Sequence, residues 1–221
     1  MLFVHIPKTA GISLYAAMAK WFGPGHSLRY PRSTEAFKQQ FLGLSNEELH
    51  QYRLISGHFN LPFWLRRDLG ARVVVALIRE PVERALSTYR FTKGWSGHPR
   101  HAVVSKMGVA EYVDHYVAEI GRHNGQCQFL CGSGDFLAAK AMAQKQIDLL
   151  GCVEQIALLT KALSERLGVP LHLGMENRSA VEHPTRSDLD PVLIANIESC
   201  NVEDCKLWAY VSESGLVRGH N

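Results

Sequence analysis

The hydrophobic positions of this chain fall into short apolar runs separated by longer stretches of helical periodicity, a pattern typical of α/β proteins. Residues 72–78 are apolar on both faces, as expected for a central strand of a parallel sheet. The predicted strands are residues 2–6, 53–57, 72–78, 149–153 and 170–175. The predicted helices are residues 12–21, 34–50 in pieces, 61–69, 81–93, 109–121, 136–147, 155–167, 188–200 and 202–213. We therefore predict one domain over residues 1–221, a three-layer α/β fold with a central, mostly parallel sheet flanked by helices.

The composition excludes several protein classes. With 46% hydrophobic and 20% charged residues, the chain resembles ordinary soluble globular proteins. It holds no apolar run of about 18 residues, and no basic stretch precedes the first apolar run, so we expect neither a membrane span nor a signal peptide. The five cysteines form no CxxC pair, which indicates neither a disulfide framework nor a zinc site and favours a reducing cytoplasm.

Basic charge is concentrated in the first half of the chain. Residues 1–106 hold 15 Lys and Arg against 6 Asp and Glu, whereas residues 107–221 hold 9 against 15. This asymmetry suits an anionic ligand, although a surface excess without a partner remains open. The total of +3 is too small to favour nucleic acid, and no basic RNA-binding motif is present.

Residues 3–13 have the pattern of a phosphate-binding turn. An apolar strand is followed by a turn that carries Lys8 and then by the small and hydroxyl residues that open a helix. Backbone N–H groups and the helix N-terminus would favour an anion there, and the hydroxyls of Thr9 and Ser13 are further candidate donors. An ordinary strand–turn–helix connection with a surface lysine is the alternative.

A second candidate site follows the predicted central strand. Arg79 comes directly after residues 72–78, and Ser87 lies about two helical turns later, so both could hold one phosphate. Alternatively, Arg79 pairs with Glu80 or Glu83 and Ser87 merely packs.

His58 is the candidate general base. It follows the apolar run 53–57 and a glycine, so the fold would place it at the same edge of the sheet as Lys8 and Arg79. A histidine near its ordinary pKa accepts a proton at neutral pH. A structural role for His58 is the alternative.

Segment 93–107 is predicted to be a loop, because it lacks periodicity and contains several Gly and Pro residues. A tryptophan there could stack on a sugar ring, and basic groups could meet a carboxylate or a sulfate. The candidate acceptor contacts are Lys93, Trp95, His98, Arg100, His101 and Lys106. An ordinary solvated loop is equally compatible, and His98 with His101 lacks the further ligands of a metal site.

Together these segments resemble the carbohydrate sulfotransferases, most closely the branch that includes heparan sulfate 2-O-sulfotransferase. The residues involved are Phe3 to Ser13, Ser56 to Phe59, Ile78 to Tyr89 and Gly151 to Glu154, in the family's order and spacing. The resemblance implies a P-loop NTPase-like sulfotransferase fold and the donor 3′-phosphoadenosine 5′-phosphosulfate, with 3′-phosphoadenosine 5′-phosphate as product and no metal. It also implies a hydroxyl acceptor, most simply a carbohydrate.

The resemblance also assigns residue roles. Lys8 would contact the leaving 5′-phosphate, and the backbone of Thr9, Ala10, Gly11, Ile12 and Ser13 would cradle the phosphosulfate. Arg79 and Ser87 would bind the 3′-phosphate, and His58 would deprotonate the acceptor. Ile12 departs from the family pattern of Thr, Ser or Gly, so a side-chain contact to the sulfonate is not expected there. Ser56 stands where the 2-O-sulfotransferases have a second histidine, so an acceptor of the uronic-acid type does not follow. Glu154 is expected to cap its own helix.

Two other functions compete with this interpretation. A P-loop NTPase would have a glycine before the lysine and a metal-holding Asp after a buried strand, whereas here Gly11 follows Lys8 and Arg79 ends the strand. A non-catalytic nucleotide- or glycan-binding module of the same fold would be expected to lack Lys8 or His58.

Overall fold

The protein is an α/β structure built on one five-stranded sheet. A computed structural model describes residues 1–119, 123–174 and 184–219. All strand pairs are parallel, and the strand order is β2-β3-β1-β4-β5. The strands are β1 (Leu2–Val4), β2 (Ser27–Tyr30), β3 (Leu54–Gly57), β4 (Val74–Ile78) and β5 (Leu149–Cys152). The predicted fold class is confirmed at this level, and the sheet is wholly rather than mostly parallel.

Helices connect the strands and close the described part of the chain. They are α1 (Gly11–Phe22), α2 (Glu35–Gly43), α3 (Asn46–Gln51), α4 (Leu61–Trp64), α5 (Pro81–Gly94), α6 (His101–Val104), α7 (Val109–Ala118), α8 (Gly125–Cys131), α9 (Phe136–Gln146), α10 (Ile156–Leu167), α11 (Pro191–Cys200) and α12 (Val202–Ser214). No helix in the described ranges is long and apolar enough to cross a membrane.

The two faces of the sheet bury separate hydrophobic cores. Leu2 and Val4 pack into a core with α4, α8, α9 and α12, whereas Phe3, on the opposite face, packs with α1 and α10. Alternate residues of a strand point to opposite faces, so the apolar β1 requires helices on both sides. A third cluster joins α5, α7 and α11 beside the sheet.

Several predicted elements differ in the structure. β2 was missed because Ser-Leu-Arg-Tyr is too polar to read as a strand, which an edge position tolerates. Residues 170–174 form no strand, since Leu171 packs on the core while its N–H bonds the Ser164 hydroxyl; residue 175 lies outside the described ranges. The predicted helix 61–69 ends at Trp64, and α8 was not predicted.

The register of the sheet brings three loops to one edge. Val4 pairs with Gly57 of β3 and with Ala76 of β4, so these strands end at nearly the same level. The segments that follow carry Lys8, His58 and Arg79. The shared edge, at the carboxyl ends of parallel strands, is where open α/β sheets bind ligands.

Candidate functional site

The turn between β1 and α1 has an unusual backbone. Lys8 and Ala10 have φ values of 69° and 56°, in the left-handed region that non-glycine residues rarely adopt. Ala10 is the N-cap residue of α1 and offers no side-chain acceptor to the first turn. In the described part of the chain, no side-chain cap therefore satisfies the N–H groups at the start of α1, and they are available to an external acceptor, as in anion-binding turns.

Lys8 projects from this turn over an aromatic ring. Its Nζ lies 4.0 Å from the centroid of the Phe91 ring. Burial, with smaller contributions from the nearby Arg79 and Arg90, lowers the pKa of Lys8 to about 8. An anion placed beside Lys8 would restore the charged form, since an opposite charge favours it.

Arg79 and Arg90 converge on one carboxylate. Glu83 Oε2 lies 3.0 Å from Arg79 and 3.7 Å from Arg90. The pairing of Arg79 with Glu83 that the sequence left open is therefore formed. Arg79 nevertheless keeps a buried Nε with no hydrogen-bond partner in the described structure. Two guanidinium groups sharing one carboxylate can accept a further anion.

Arg90 was missed in the sequence analysis although a signal was present. It lies one helical turn after Ser87 on α5, and residues three apart share a helix face. Ser87 itself is half-buried. The spacing Arg79, Ser87, Arg90 could have identified the second arginine.

The hydroxyl of Thr9 does not serve the predicted site. Thr9 is fully buried, and its Oγ1 donates to the carbonyl of Ile6 at 2.9 Å. This corrects the expectation of a hydroxyl donor at Thr9, which instead closes the turn. The side chain of Ile12 is 46% exposed and that of Ser13 is half-buried.

Arg84 fixes this turn against α5. Its Nε donates to the carbonyl of Pro7 at 3.3 Å, and it pairs with the buried Asp204 at 3.7 Å. The Lys8 turn and the helix that carries Arg79, Ser87 and Arg90 are thereby joined.

His58 lies beside a second histidine that the sequence analysis did not identify, His5. The two ring centroids are 4.5 Å apart in an edge-to-face arrangement. Burial, with smaller contributions from Arg29 and Lys8, lowers the pKa of His58 to about 4. Burial and then His58 lower the pKa of His5 to about 3. Both rings are therefore uncharged at neutral pH, and His58 can accept a proton there.

One ring nitrogen of each histidine is shielded. His58 Nε2 and His5 Nδ1 are buried without a hydrogen-bond partner among the described residues. To be deprotonated by His58, a hydroxyl must therefore reach the other ring nitrogen, Nδ1, or displace the atoms that bury Nε2. Buried polar atoms without partners are costly and are concentrated at functional sites.

Arg29 is a further cation that sequence reasoning missed. It pairs in register with Ser56, and its guanidinium lies 4.6 Å from the Tyr15 ring centroid. Arg29 Nε and Ser56 Oγ are both buried without partners in the described part of the chain. Because β2 was not predicted, nothing in the sequence placed Arg29 at this edge.

The segment 93–107 is more ordered than predicted. Lys93 belongs to α5 and donates to Tyr89 Oη at 2.9 Å and to the Met107 carbonyl at 2.7 Å. Residues 101–104 form α6, so this part is a helix rather than a loop. Residue spacing gave no indication of these contacts, because they form only where Met107 lies close to Lys93 in the folded chain.

Most basic groups of this segment have structural partners. Arg100 pairs with Glu119 at 2.6 Å, and His101 Nδ1 lies 3.1 Å from the Thr92 carbonyl. Lys106 is exposed. Trp95 and His98 instead form ring contacts with each other and with Phe91.

Glu154 joins β5 to the start of α5. Its Oε1 accepts from the Glu80 N–H at 3.2 Å, and its Oε2 accepts from Trp208 Nε1 at 3.1 Å. It thus supports the N-terminus of α5. The expectation that Glu154 caps its own helix was wrong.

No protein-family model matches the chain, and no curated protein matches it significantly. The resemblance to sulfotransferases therefore depends on the motifs and stays a prediction. In the described ranges, no group of three or more His, Cys, Asp or Glu side chains is placed to hold a metal ion.

Proposed function

We propose that this protein transfers a sulfuryl group from 3′-phosphoadenosine 5′-phosphosulfate to a hydroxyl, most simply on a carbohydrate or glycoconjugate. The observation that carries the proposal is the cluster formed by Arg79 and Arg90, which converge on the carboxylate of Glu83, and by Lys8, which is near enough for both arginines to lower its pKa. This cluster of three cationic side chains favours an anionic ligand, because like charges held close together disfavour one another.

The cluster offers two anion sites rather than one. The first is the start of α1 with Lys8, where uncapped N–H groups and an ammonium suit a phosphosulfate. The second is Arg79 with Arg90 and Ser87, where the buried Nε of Arg79 still lacks an acceptor. A nucleotide with phosphates at both its 5′ and 3′ positions fits two separate sites better than one with a single phosphate chain.

The donor supplies the sulfuryl group, and the residues of the chain supply positioning and charge. Lys8 would stabilise the negative charge that develops on the 5′-phosphate, an effect that is large in a partly buried site. Arg79, Arg90 and Ser87 would hold the 3′-phosphate and so fix the orientation of the nucleotide. His58, uncharged at neutral pH, would accept the proton of the attacking hydroxyl.

Thr9 argues against ATP-dependent phosphoryl transfer. In a P-loop the hydroxyl that follows the lysine is directed at Mg²⁺. Here that hydroxyl is buried and donates to the Ile6 carbonyl. Arg79, rather than an acidic residue, follows β4.

The decisive experiment compares two isomeric nucleotides. ADP and adenosine 3′,5′-bisphosphate have the same atoms and differ only in the position of one phosphate, so their effect on thermal unfolding isolates recognition of the 3′-phosphate. We expect the bisphosphate to stabilise the protein more than ADP or ATP.

Two arginine variants test this preference, one at the proposed site and one as its matched control. Arg79→Ala should remove the preference for the bisphosphate, whereas Arg100→Ala, which breaks the pair with Glu119, should keep it. Equal stabilisation by both isomers would overturn the assignment of the donor. Transfer of radiolabelled sulfur from the donor to a panel of glycosides then tests the reaction itself.

A further inference from the structure

Beside Lys8 lies a group of three ring side chains, Phe91, Trp95 and His98, which we call the aromatic shelf. The ring centroids are 5.3 Å apart for Phe91 and Trp95, 5.8 Å for Phe91 and His98, and 5.9 Å for Trp95 and His98. Phe91 and Trp95 are each 40% exposed. Exposed rings in contact with one another are typical of surfaces that bind a flat ligand.

The shelf is continuous with the candidate reaction centre. The Phe91 ring that contacts Trp95 also lies 4.0 Å from Lys8 Nζ. A ring stacked on the shelf would therefore carry its substituents beside the lysine.

The position of the Trp95 indole is fixed by the residues that follow it in the sequence. A Cβ at Gly97 would lie 2.8 Å from Trp95 Nε1, so only glycine allows the indole to occupy its place. The N–H of His98 donates to the Trp95 carbonyl at 2.9 Å and closes the turn between them. The shelf is thus formed before any ligand binds, which reduces the entropy cost of binding.

The shelf carries no charge at neutral pH. His98 Nδ1 accepts a hydrogen bond from the Arg100 N–H at 3.2 Å, which requires that nitrogen to be unprotonated. Burial and the neighbouring Arg100, His101 and Lys8 lower the pKa of His98. The nearby side chains of Lys93 and Arg100 already bond to Tyr89, Met107 and Glu119.

From this arrangement we infer that the acceptor binds by stacking an uncharged ring on Phe91 and Trp95, and that the site does not select an acidic acceptor. The ring face is either an aryl group or the C–H face of a pyranose, which share the same stacking chemistry. The inference rests on the proposed sulfotransferase function, since it concerns the acceptor of that reaction.

The test follows the indole N–H signals of the four tryptophans by heteronuclear NMR. Trp21 is the matched internal control: it is 38% exposed and contacts Phe22 at a ring distance of 4.5 Å, but it lies at the far end of α1. Three probes are titrated into the protein saturated with adenosine 3′,5′-bisphosphate. They are 4-methylphenol, methyl β-glucopyranoside and methyl β-glucuronide.

We expect the phenol, the glucoside or both to shift the Trp95 signal and leave the Trp21 signal in place. The probe that shifts the Trp95 signal shows whether the acceptor ring is an aryl group or a sugar. Phe91→Leu should weaken this binding roughly 2- to 10-fold, the range for loss of one ring contact. Gly97→Ala should also weaken it by displacing the indole, whereas Trp21→Phe should not. The glucuronide should bind no more tightly than the glucoside, with little effect of ionic strength.

Three results would overturn the inference. One is tighter, salt-sensitive binding of the glucuronide. Another is a Trp95 signal that fails to respond to any probe. The third is a large Trp95 shift caused by the bisphosphate alone, which would assign the shelf to the nucleobase. Failure of the proposed function is distinguishable, because probes would then shift Trp95 while the bisphosphate fails to stabilise the protein.

Discussion

The side-chain amide of Gln126 forms two hydrogen bonds with the backbone of Arg79. Its Oε1 accepts from the Arg79 N–H at 2.8 Å, and its Nε2 donates to the Arg79 carbonyl at 2.9 Å. Gln126 is fully buried at the start of α8, where Asp204 accepts from its N–H at 3.0 Å. The backbone of Arg79 is therefore held by a helix that follows it by more than forty residues in sequence.

Replacing Gln126 by leucine should reduce both stability and nucleotide binding. Two partly buried backbone groups of Arg79 would lose their partners, at a cost of roughly 2 kcal/mol in the free energy of unfolding. Urea unfolding measures this loss, and calorimetry measures the affinity for adenosine 3′,5′-bisphosphate. Gln128→Leu on the same helix removes one bond, to the His123 carbonyl, and should leave the affinity unchanged. Equal losses of affinity in both variants would exclude a positioning role for Gln126.

The sequence predicted those parts of the fold that depend on local pattern. β4 is uniformly apolar and was found within two residues, and α1 begins within one residue of its predicted start, after the turn that carries Lys8. α8 was missed because its first turn is capped by Asp204, from a distant part of the chain. β2 was missed because its polar residues are acceptable only at a sheet edge. Without β2 there was no reason in the sequence to include Arg29 in the predicted site.

A comparison of two substitutions at Lys8 should separate function from stability. Its φ of 69° is strained for any residue with a Cβ, so Lys8→Gly should be more stable than Lys8→Ala by about 1 kcal/mol. Both variants lose the ammonium, and sulfuryl transfer should fall by at least about 10²-fold.

Lys38, inside α2, provides the control: there the glycine variant should be less stable than the alanine variant by about 0.5–1 kcal/mol. Urea unfolding and transfer assays give both readouts. Substantial turnover by either Lys8 variant would contradict the assigned role.

Neutralising Glu83 should tighten binding of the bisphosphate. Its carboxylate competes with a phosphate for Arg79 and Arg90 and repels that phosphate directly. Glu83→Gln can keep the oxygen that accepts from the Arg186 N–H, so the local fold should persist. We expect a gain in affinity of roughly 5-fold, about 1 kcal/mol. Glu35→Gln, which breaks an exposed pair with Lys38, is the control. Weaker binding by Glu83→Gln would mean that the carboxylate orients the arginines for the phosphate.

The histidine pair should make the fold sensitive to acid. The pKa of His5 is about 3 in the folded protein, against about 6.5 when unfolded. Below pH 6.5 the unfolded chain binds a proton that the folded protein excludes, so stability is full above that pH and falls as the pH decreases toward 3. His5→Phe, which keeps a flat ring against Gly11, should reduce the slope of unfolding free energy against pH by up to about 1.4 kcal/mol per pH unit. The exposed His26 is the control position, and His26→Gln should retain the slope. An unchanged slope in His5→Phe would contradict the burial of an uncharged imidazole.

Removing the positive charge of Arg29 should raise the pKa of His58. After burial, Arg29 is the largest contributor to the lowering of that pKa to about 4, because a nearby cation disfavours the imidazolium. In Arg29→Met the acidic limb of the rate profile should therefore move to higher pH, since His58 must be uncharged to accept a proton. Arg32→Met, at an exposed position beyond β2, should leave that limb in place. Titration of the His58 ring signals by NMR, assigned through His58→Gln, gives the pKa without an acceptor in hand. If the His58 titration moves and the acidic limb does not, another group accepts the proton.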